Sequence, residues 1–350
     1  MGKSLGILNN IRHNASQEYK NRIPVATQEN IASIGNALQQ YTVLYNEFCE
    51  ALINKIGKTI LESKLFSNRL ARFKQGTVLD QQDVEEIFIE MAKAEGAYDP
   101  TGPNPLGRRE GPDVKAIYHR MNRQDVYVIS IGDIDFVRVF RSEATLDSFI
   151  ASLINSVYSG ASYDEWLAMK NLINTYKGYS VVQVPNATWE PVMEEWQSMG
   201  IAEKAKSFIK VSRKLARDVT FPSRDFNSAG VMTWSDPEAM VLLVNKDLLA
   251  EADVEVLSKA FTQGKTDIPF EIVPMDDFGE LKTVLGASGN VLGLLVDHDF
   301  LRVFDTLSHF EPQRNAHGLF TNYFYHVHQI LSASTFKNAI ALVEGPSNGE

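Results

Sequence analysis

The chain has 350 residues, a formal net charge of −10, and is 44% hydrophobic and 22% charged. This is the balance of an ordinary folded protein, long enough that two subdomains are expected rather than one. An acidic chain is excluded from gripping nucleic acid tightly over its whole surface, which takes Lys and Arg, although a local basic patch stays open. The single cysteine, Cys49, excludes an intrachain disulfide or a thiolate metal cluster. No apolar run approaches the roughly 18 residues of a membrane span. The N-terminus MGKSLGILNNIRHN also lacks the features of a signal peptide, so folding inside a cell is expected.

In chain order, Ser4 to Arg12 reads as a short helix and Asn21 to Thr27, with Pro24, as a loop. Gln28 to about Ile56 reads as a second helical block. Its stripe is Tyr41, Leu44, Tyr45, Phe48, Leu52 and Ile56, with Gly57 as a stop. Residues 1–56 are therefore expected to form a helical arm.

Asp83 to Ala92 and Asp113 to Ile131 read as two strands. Between them, Glu95 to Pro112 holds four Gly and four Pro in eighteen residues, which excludes helix or central strand. Glu85, Glu86 and Glu90 on one limb face Lys115, Arg120 and Arg123 on the other, and opposite charges suit cross-strand pairing. A hairpin this polar has little to bury within itself, and a lone two-stranded hairpin is marginal in water. It is therefore expected to project and to be stabilised by a neighbouring molecule. Candidate contact residues are Glu85, Glu86, Glu90, Arg108, Arg109, Lys115, Arg120, Arg123, Arg224 and Asp225.

Thr145 to Tyr176 carries the strongest helical period: Leu146, Phe149, Ile150, Leu153, Ile154, Val157 and Tyr158, then Trp166, Met169, Leu172, Ile173 and Tyr176. Such a helix would be about 48 Å long, with Ser142 or Thr145 as its cap and Gly178 as its end. From Tyr179 to Ser308 the pattern is mixed. Strands are expected at Ser180–Val184, Met240–Val244, Phe270–Val273 and Val291–Val296, and helices at Ile201–Arg217 and Asp253–Phe261. Last comes the stretch from Arg314 to Leu342. Leu319 to Ser334 has no Pro or Gly, and four aromatics fall within six positions: Phe320, Tyr323, Phe324 and Tyr325. As a strand it would span about 50 Å. That is far beyond the usual length and suits a strand that crosses more than one subdomain, or a flat molecule that tiles with copies of itself.

Signatures of catalysis are missing from the sequence. There is no Walker loop, dinucleotide glycine fingerprint, HExxH or GxSxG. Gly286 to Gly293 lacks the Lys-Ser/Thr of a phosphate loop and reads as a turn. His326 and His328 share a strand face and, with His317, could form a metal site. Half-buried sheet histidines are the better reading, since no acidic residue lies between His317 and Ile340. Asp297, His298 and Asp299 do not converge on an extended chain and read as a loop or cap. Ser223 to Asn227 reads as a locked turn or an intersubunit salt bridge. Arg69, Arg72 and Lys74 could touch nucleic acid or an acidic neighbour, with a solvated charged face as the default reading. No cofactor and no catalysis are implied.

The order of elements resembles the major capsid protein of tailed bacteriophages, the HK-ninety-seven-type fold. Six segments are similar to the head protein of the small, short-tailed phi-twenty-nine-like phages. They are NEFCEALINKIG (46–57), DVKAIYHRMNRQ (113–124), LINSVYSGASYDE (153–165), SRDFNS (223–228), LLAEADVEVLSKAF (248–261) and the stretch from Arg314 to Leu342. They follow one another in order over nearly the whole chain.

The resemblance implies an α+β fold in five parts. These are an N-terminal helical arm (1–56), an extended E-loop hairpin and its base (57–134), a peripheral (P) domain spine helix (135–184), most of an axial (A) domain (185–308), and the long P-domain strand with the C-terminus (309–350). It implies a structural major capsid protein in the virion, self-assembling as pentamers and hexamers into an icosahedral-type head around double-stranded DNA that it contacts only weakly. A scaffolding protein and a portal connector would be its partners, and no membrane. Some members of the family carry an immunoglobulin-like domain after the long P-domain strand; the chain ends at Glu350 without one, so decoration of that kind is not expected. An encapsulin-type compartment shell, enclosing an enzyme, is the alternative with the same fold. A metal enzyme using His317, His326 and His328 is the third reading.

Overall fold

The structure is a computed structural model, and it describes residues 3–41, 43–44, 47–48, 51, 66–78, 83–92, 111–132, 143–184, 200–252 and 270–345. In chain order these hold helices α1 (Lys3–Asn14), α2 (Gln17–Arg22) and α3 (Ile31–Gln40), then strands β1 (Lys74–Thr77), β2 (Val84–Ile89), β3 (Val114–His119) and β4 (Met121–Gly132). The 33-residue helix α4 (Glu143–Thr175) follows, then β5 (Ser180–Val184), α5 (Ile201–Asp218), β6 (Met240–Asn245) and α6 (Lys246–Ala252). The chain closes with β7 (Glu271–Met275), α7 (Leu281–Leu285), β8 (Val291–Asp297), β9 (Leu301–Asn315), β10 (Phe320–Ala333) and β11 (Ala339–Glu344).

Three sheets result: four strands in the order β1-β9-β10-β4, five in the order β5-β11-β8-β6-β7, and the two-stranded ribbon β2-β3. In the five-stranded sheet both faces are buried. Strands covered on both sides have no solvent face to make polar, so they read as near-continuous apolar runs: MVLLV, VLGLLV and AIALV. One face packs on α4 through Met169 and Ile173. The other packs on α5 through Ala205, Phe208, Val211 and Leu215. At Gly293 a Cβ would lie 2.7 Å from both the Leu243 carbonyl and the Phe208 ring, so β8 has no room for a side chain where α5 seats on it.

The four-stranded sheet alternates instead. Tyr323, Tyr325, Val327 and Gln329 of β10 are buried on one face, against α4 and the N-terminal helices, and Asn322, Phe324, His326 and His328 are half-exposed on the other. Tyr158 of α4, Phe310 and Tyr325 form an aromatic group, with the Phe310 and Tyr325 rings stacked at 4.4 Å. Two bulges flank Gln329. The β10–β9 register skips Thr306, and the β10–β4 register skips Asn122. The Asn122 side chain fills its gap by bonding both the N–H and the carbonyl of Leu331.

Several expectations change. The second helical block is interrupted, because Tyr41 adopts extended backbone and ends α3. Leu44 and Phe48 are nonetheless buried, in the same core as α1 and α3. Tyr45, Leu52, Ile56 and the cap Ser142 lie outside the described residues, as do the helix at 253–261 and the segment 93–110. The limb Asp113–Ile131 is two strands in different sheets. Arg120 separates β3, which pairs with β2, from β4, which pairs with β10. In keeping with the single helix expected, α4 runs unbroken through Ser159 and Gly160. The helix passes the sheet there, with Gly160 facing the Tyr127 ring.

Candidate functional site: a two-faced ribbon and a buried ionic junction

The β2–β3 register sets Ile89 opposite Val114, Ile87 opposite Ala116 and Glu85 opposite Tyr118. Alternation puts these residues on one face, and that face is open: Ile87 is 55% exposed, Ile89 60%, Val114 50% and Tyr118 58%. The opposite face carries Glu86, Phe88, Glu90, Lys115 and His119 and docks on the rest of its own chain. Arg302 of β9 and His119 both bond the Glu86 carboxylate, the latter at 3.0 Å. Arg224 reaches Glu90 at 3.1 Å, Lys115 donates to the Ala229 carbonyl at 3.1 Å, and the Phe88 ring lies 5.5 Å from that of Phe336. Burial alone would raise the Glu86 carboxyl, but hydrogen bonds from His119 and Arg302 outweigh it and bring the pKa down to about 2.

The expected cross-strand charge pairing is therefore corrected. Of the six charged residues expected to pair across the limbs, none is ion-paired with another. Glu85 accepts from the Tyr118 hydroxyl at 2.8 Å, and Arg120 pairs with Asp83 at 3.2 Å. Arg123 sits in β4 and bonds Asp125, Gln329 and Tyr127. The reason is alternation: Glu86, Glu90 and Lys115 point to the chain's own body, where cations and a carbonyl are in reach, and the apolar residues are left outside. Arg108 and Arg109 lie outside the described residues.

Behind the bulged sheet is a second polar cluster, which sequence reading missed. Glu165 of α4 accepts from Asn68 at 2.8 Å, Lys74 at 2.8 Å and Gln329 at 2.7 Å. Lys74 also pairs with Asp305 at 2.9 Å, and Gln329 donates to Asp305 at 2.6 Å. The Arg123 guanidinium bonds the Gln329 side-chain oxygen at 2.6 Å and the Tyr127 hydroxyl at 2.9 Å, and Tyr127 donates to Asp164 of α4 at 2.8 Å. Burial would push the Glu165 carboxyl up, but the Lys74 charge and three hydrogen bonds hold it below its usual range. Burial would lower Lys74, and Glu165 and Asp305 raise it. Both partners thus stay charged, and the cluster joins α4 to β1, β4, β9 and β10 at the point where the sheet bends. It holds no nucleophile paired with a base.

The other sequence candidates fall into structural roles. Asp297 ends β8 and accepts the Asn338 backbone N–H at 2.8 Å, with burial raising its pKa. Gly286 takes the left-handed conformation that ends α7, so the Gly-rich stretch is a turn into β8. Ser223 bridges Thr233 and bonds Asp225, and Asn227 bonds both backbone groups of Val231, which makes the segment a locked turn. Arg72 and Lys74 are not a solvated face: Arg72 pairs with Glu271 and Lys74 is in the junction. His326 and His328 share a sheet face as expected, with His309 opposite His326, while His317 lies in the turn beyond β9. Among the described residues no group of His, Cys, Asp or Glu is placed to hold a metal ion.

A long helix crossing a bent sheet, a five-stranded sheet sharing a core with that helix and a ribbon with an open apolar face define the HK-ninety-seven-type fold of tailed-phage capsid proteins. Solved structures agree. The capsid of Staphylococcus phage Andhra aligns with a TM-score of 0.62 over 82% of this chain and 86% of that one, at 11% identity. The mature capsid of bacteriophage PhiM1 gives 0.51 over 83% and 90%, at 8% identity.

Residues 8–343 match the Phi29-like phage major capsid protein family, and the chain belongs to it. The major capsid protein of Bacillus phage B103 is 37% identical over 98% of this chain and 73% of its own length. That of Bacillus phage PZA is 35% identical over the same shares. The protein is thus a structural, non-enzymatic component of the phage head, and its place is the capsid shell of the virion. These relatives lend no support to the encapsulin-type alternative. Among the described residues no helix is long and apolar enough to cross a membrane.

Proposed function

We propose that the open apolar face of the β2–β3 ribbon is the contact by which one subunit holds the next in the shell. The supporting observation is that Ile87, Ile89, Val114 and Tyr118 stand exposed together on one face, while the polar residues on the other are anchored inside the chain. Clustered apolar residues turned to water by a ribbon fixed in place mark an interaction surface rather than chance exposure. In this reading the ribbon is the E-loop, residues 135–184 and 309–350 form the P domain, and 185–308 most of the A domain. Subunits join head to tail as pentamers and hexamers, each presenting one patch to a different patch next door. Glu85, Arg108, Arg109 and Arg120 are offered to the neighbour. Glu86, Glu90, Lys115, Arg123, Arg224 and Asp225 act indirectly, by setting the ribbon and its surroundings. The assembled head encloses double-stranded DNA, with a scaffolding protein and a portal connector as assembly partners.

Replacing two face residues tests this. Ile87→Asp/Ile89→Asp subunits should keep wild-type circular dichroism and melting but form no closed particles by negative-stain microscopy when co-expressed with scaffold. Normal particles from that double variant would overturn the reading.

A further inference from the structure

Among the described residues, helix α5 is the most basic element of an acidic chain. Its 18 residues carry Lys204, Lys206, Lys210, Arg213, Lys214 and Arg217 against only Glu203 and Asp218, within a chain of net charge −10. The buried side, Ala205, Phe208, Ile209, Val211, Leu215 and Ala216, is fully committed to the five-stranded sheet. Lys206, Lys210, Lys214 and Arg217 are exposed on the other side. Lys204, Lys210 and Lys214 also have interactions within the chain.

Between Lys206 and Arg217 no exposed position of the helix is apolar. A protein partner is usually held by buried aromatic or aliphatic anchors, and this ridge offers none. A polyelectrolyte backbone needs only charge. Lys206, Lys210 and Lys214 follow one another about 6 Å apart along the axis. That is close to two nucleotide steps of a DNA strand at about 3.4 Å each. The geometry points to the outer face of α5 as a weak, sequence-independent site for the phosphodiester backbone of double-stranded DNA. This inference rests on the reading of the assembled head as a DNA container. Because the rest of the chain is acidic, one site is weak, and repetition over a shell would make it count by avidity.

The test is fluorescence anisotropy of a labelled 30-base-pair random-sequence duplex titrated with full-length subunit between 50 and 200 mM salt. With about four phosphates engaged, log K should fall with log salt at a slope near −3.6, on the order of a hundredfold across that range. Lys206→Gln/Lys210→Gln/Lys214→Gln should weaken binding at least about tenfold at 50 mM salt and reduce the slope to near −1. The charge-reversed Lys206→Glu/Lys210→Glu/Lys214→Glu chain should abolish it. Unchanged affinity in the glutamine variant would overturn the inference. So would displacement of the duplex by poly-glutamate at equal charge concentration, which would mark the ridge as a site for an acidic protein segment. Particle formation by both variants is read separately by negative stain, so a failure of DNA binding is distinguishable from a failure of the shell reading.

Discussion

The five-stranded sheet and the β2–β3 ribbon both carry rows of Val and Ile, yet these end in opposite conditions. In the sheet every apolar side chain of β6 and β8 is covered within the chain, by α4 on one side and α5 on the other. In the ribbon Ile87, Ile89 and Val114 face water, and the interior contacts are made mostly by charge, with Phe88 against Phe336. The difference separates what one subunit completes from what it leaves open. Burial within the chain sets subunit stability, and an apolar face with no cover inside the chain is stability held for the assembly.

Mutations that act on one side only would sharpen this division. The largest expected effect on the lone subunit is Leu294→Ala in β8, fully buried between two helices. Lost burial plus a cavity should cost about 4 kcal/mol in chemical denaturation. A loss below about 1 kcal/mol would mean the sheet is not the stabilising core. Next is Lys74→Met, which leaves Glu165 buried beside Asp305 without a cation. Removing one partner of a buried pair should cost about 3 kcal/mol, measured the same way, and an added Glu165→Leu change should recover most of it.

Smaller again is Glu86→Gln at the ribbon's anchor, about 2 kcal/mol near pH 7. Here the sign follows from the depressed carboxyl. Glu86 has a folded pKa of about 2, against an unfolded value of roughly 4.3. Its contribution is complete above the unfolded value and is lost as pH falls toward 2. Amide protection of β2 and β3, relative to the intrinsic exchange rate, should fall over that window in the wild-type subunit. It should fall less in the glutamine variant, which keeps the Glu90–Arg224 pair. The smallest effect on the lone subunit belongs to Ile87→Asp/Ile89→Asp, within about 0.5 kcal/mol, with the whole consequence falling on assembly.

Much of the architecture was legible in single elements. The apolar runs gave β5, β6 and β8 within a residue or two. The 3.6-residue stripes gave α4 and α5, and the aromatic-rich stretch at 319–334 gave β10. Strand β9 escaped because its second half, LSHFEPQRN, is polar and contains Pro312. It is tolerated because β1 pairs with β9 only near Val303 to Asp305, leaving the rest an edge beside β10, where a missing N–H costs little. The short β1, KQGT, has no apolar signature at all. The ribbon was visible as two strands, but its faces were misjudged. Counting charges along each limb says how polar it is, and only alternation against a body of fixed position says which residues that polarity serves.

Taken alone, the chain's periodicities determined its helices and most of its strands, because those signals live in neighbours a few residues apart, and six segments in order carried the family resemblance. Tertiary structure decided the rest. Residues 74, 165, 305 and 329 share one ionic junction, and Glu86 meets Arg302 across more than two hundred positions. Such contacts depend on which faces the sheets turn toward each other, a long-range outcome of packing that no local pattern encodes.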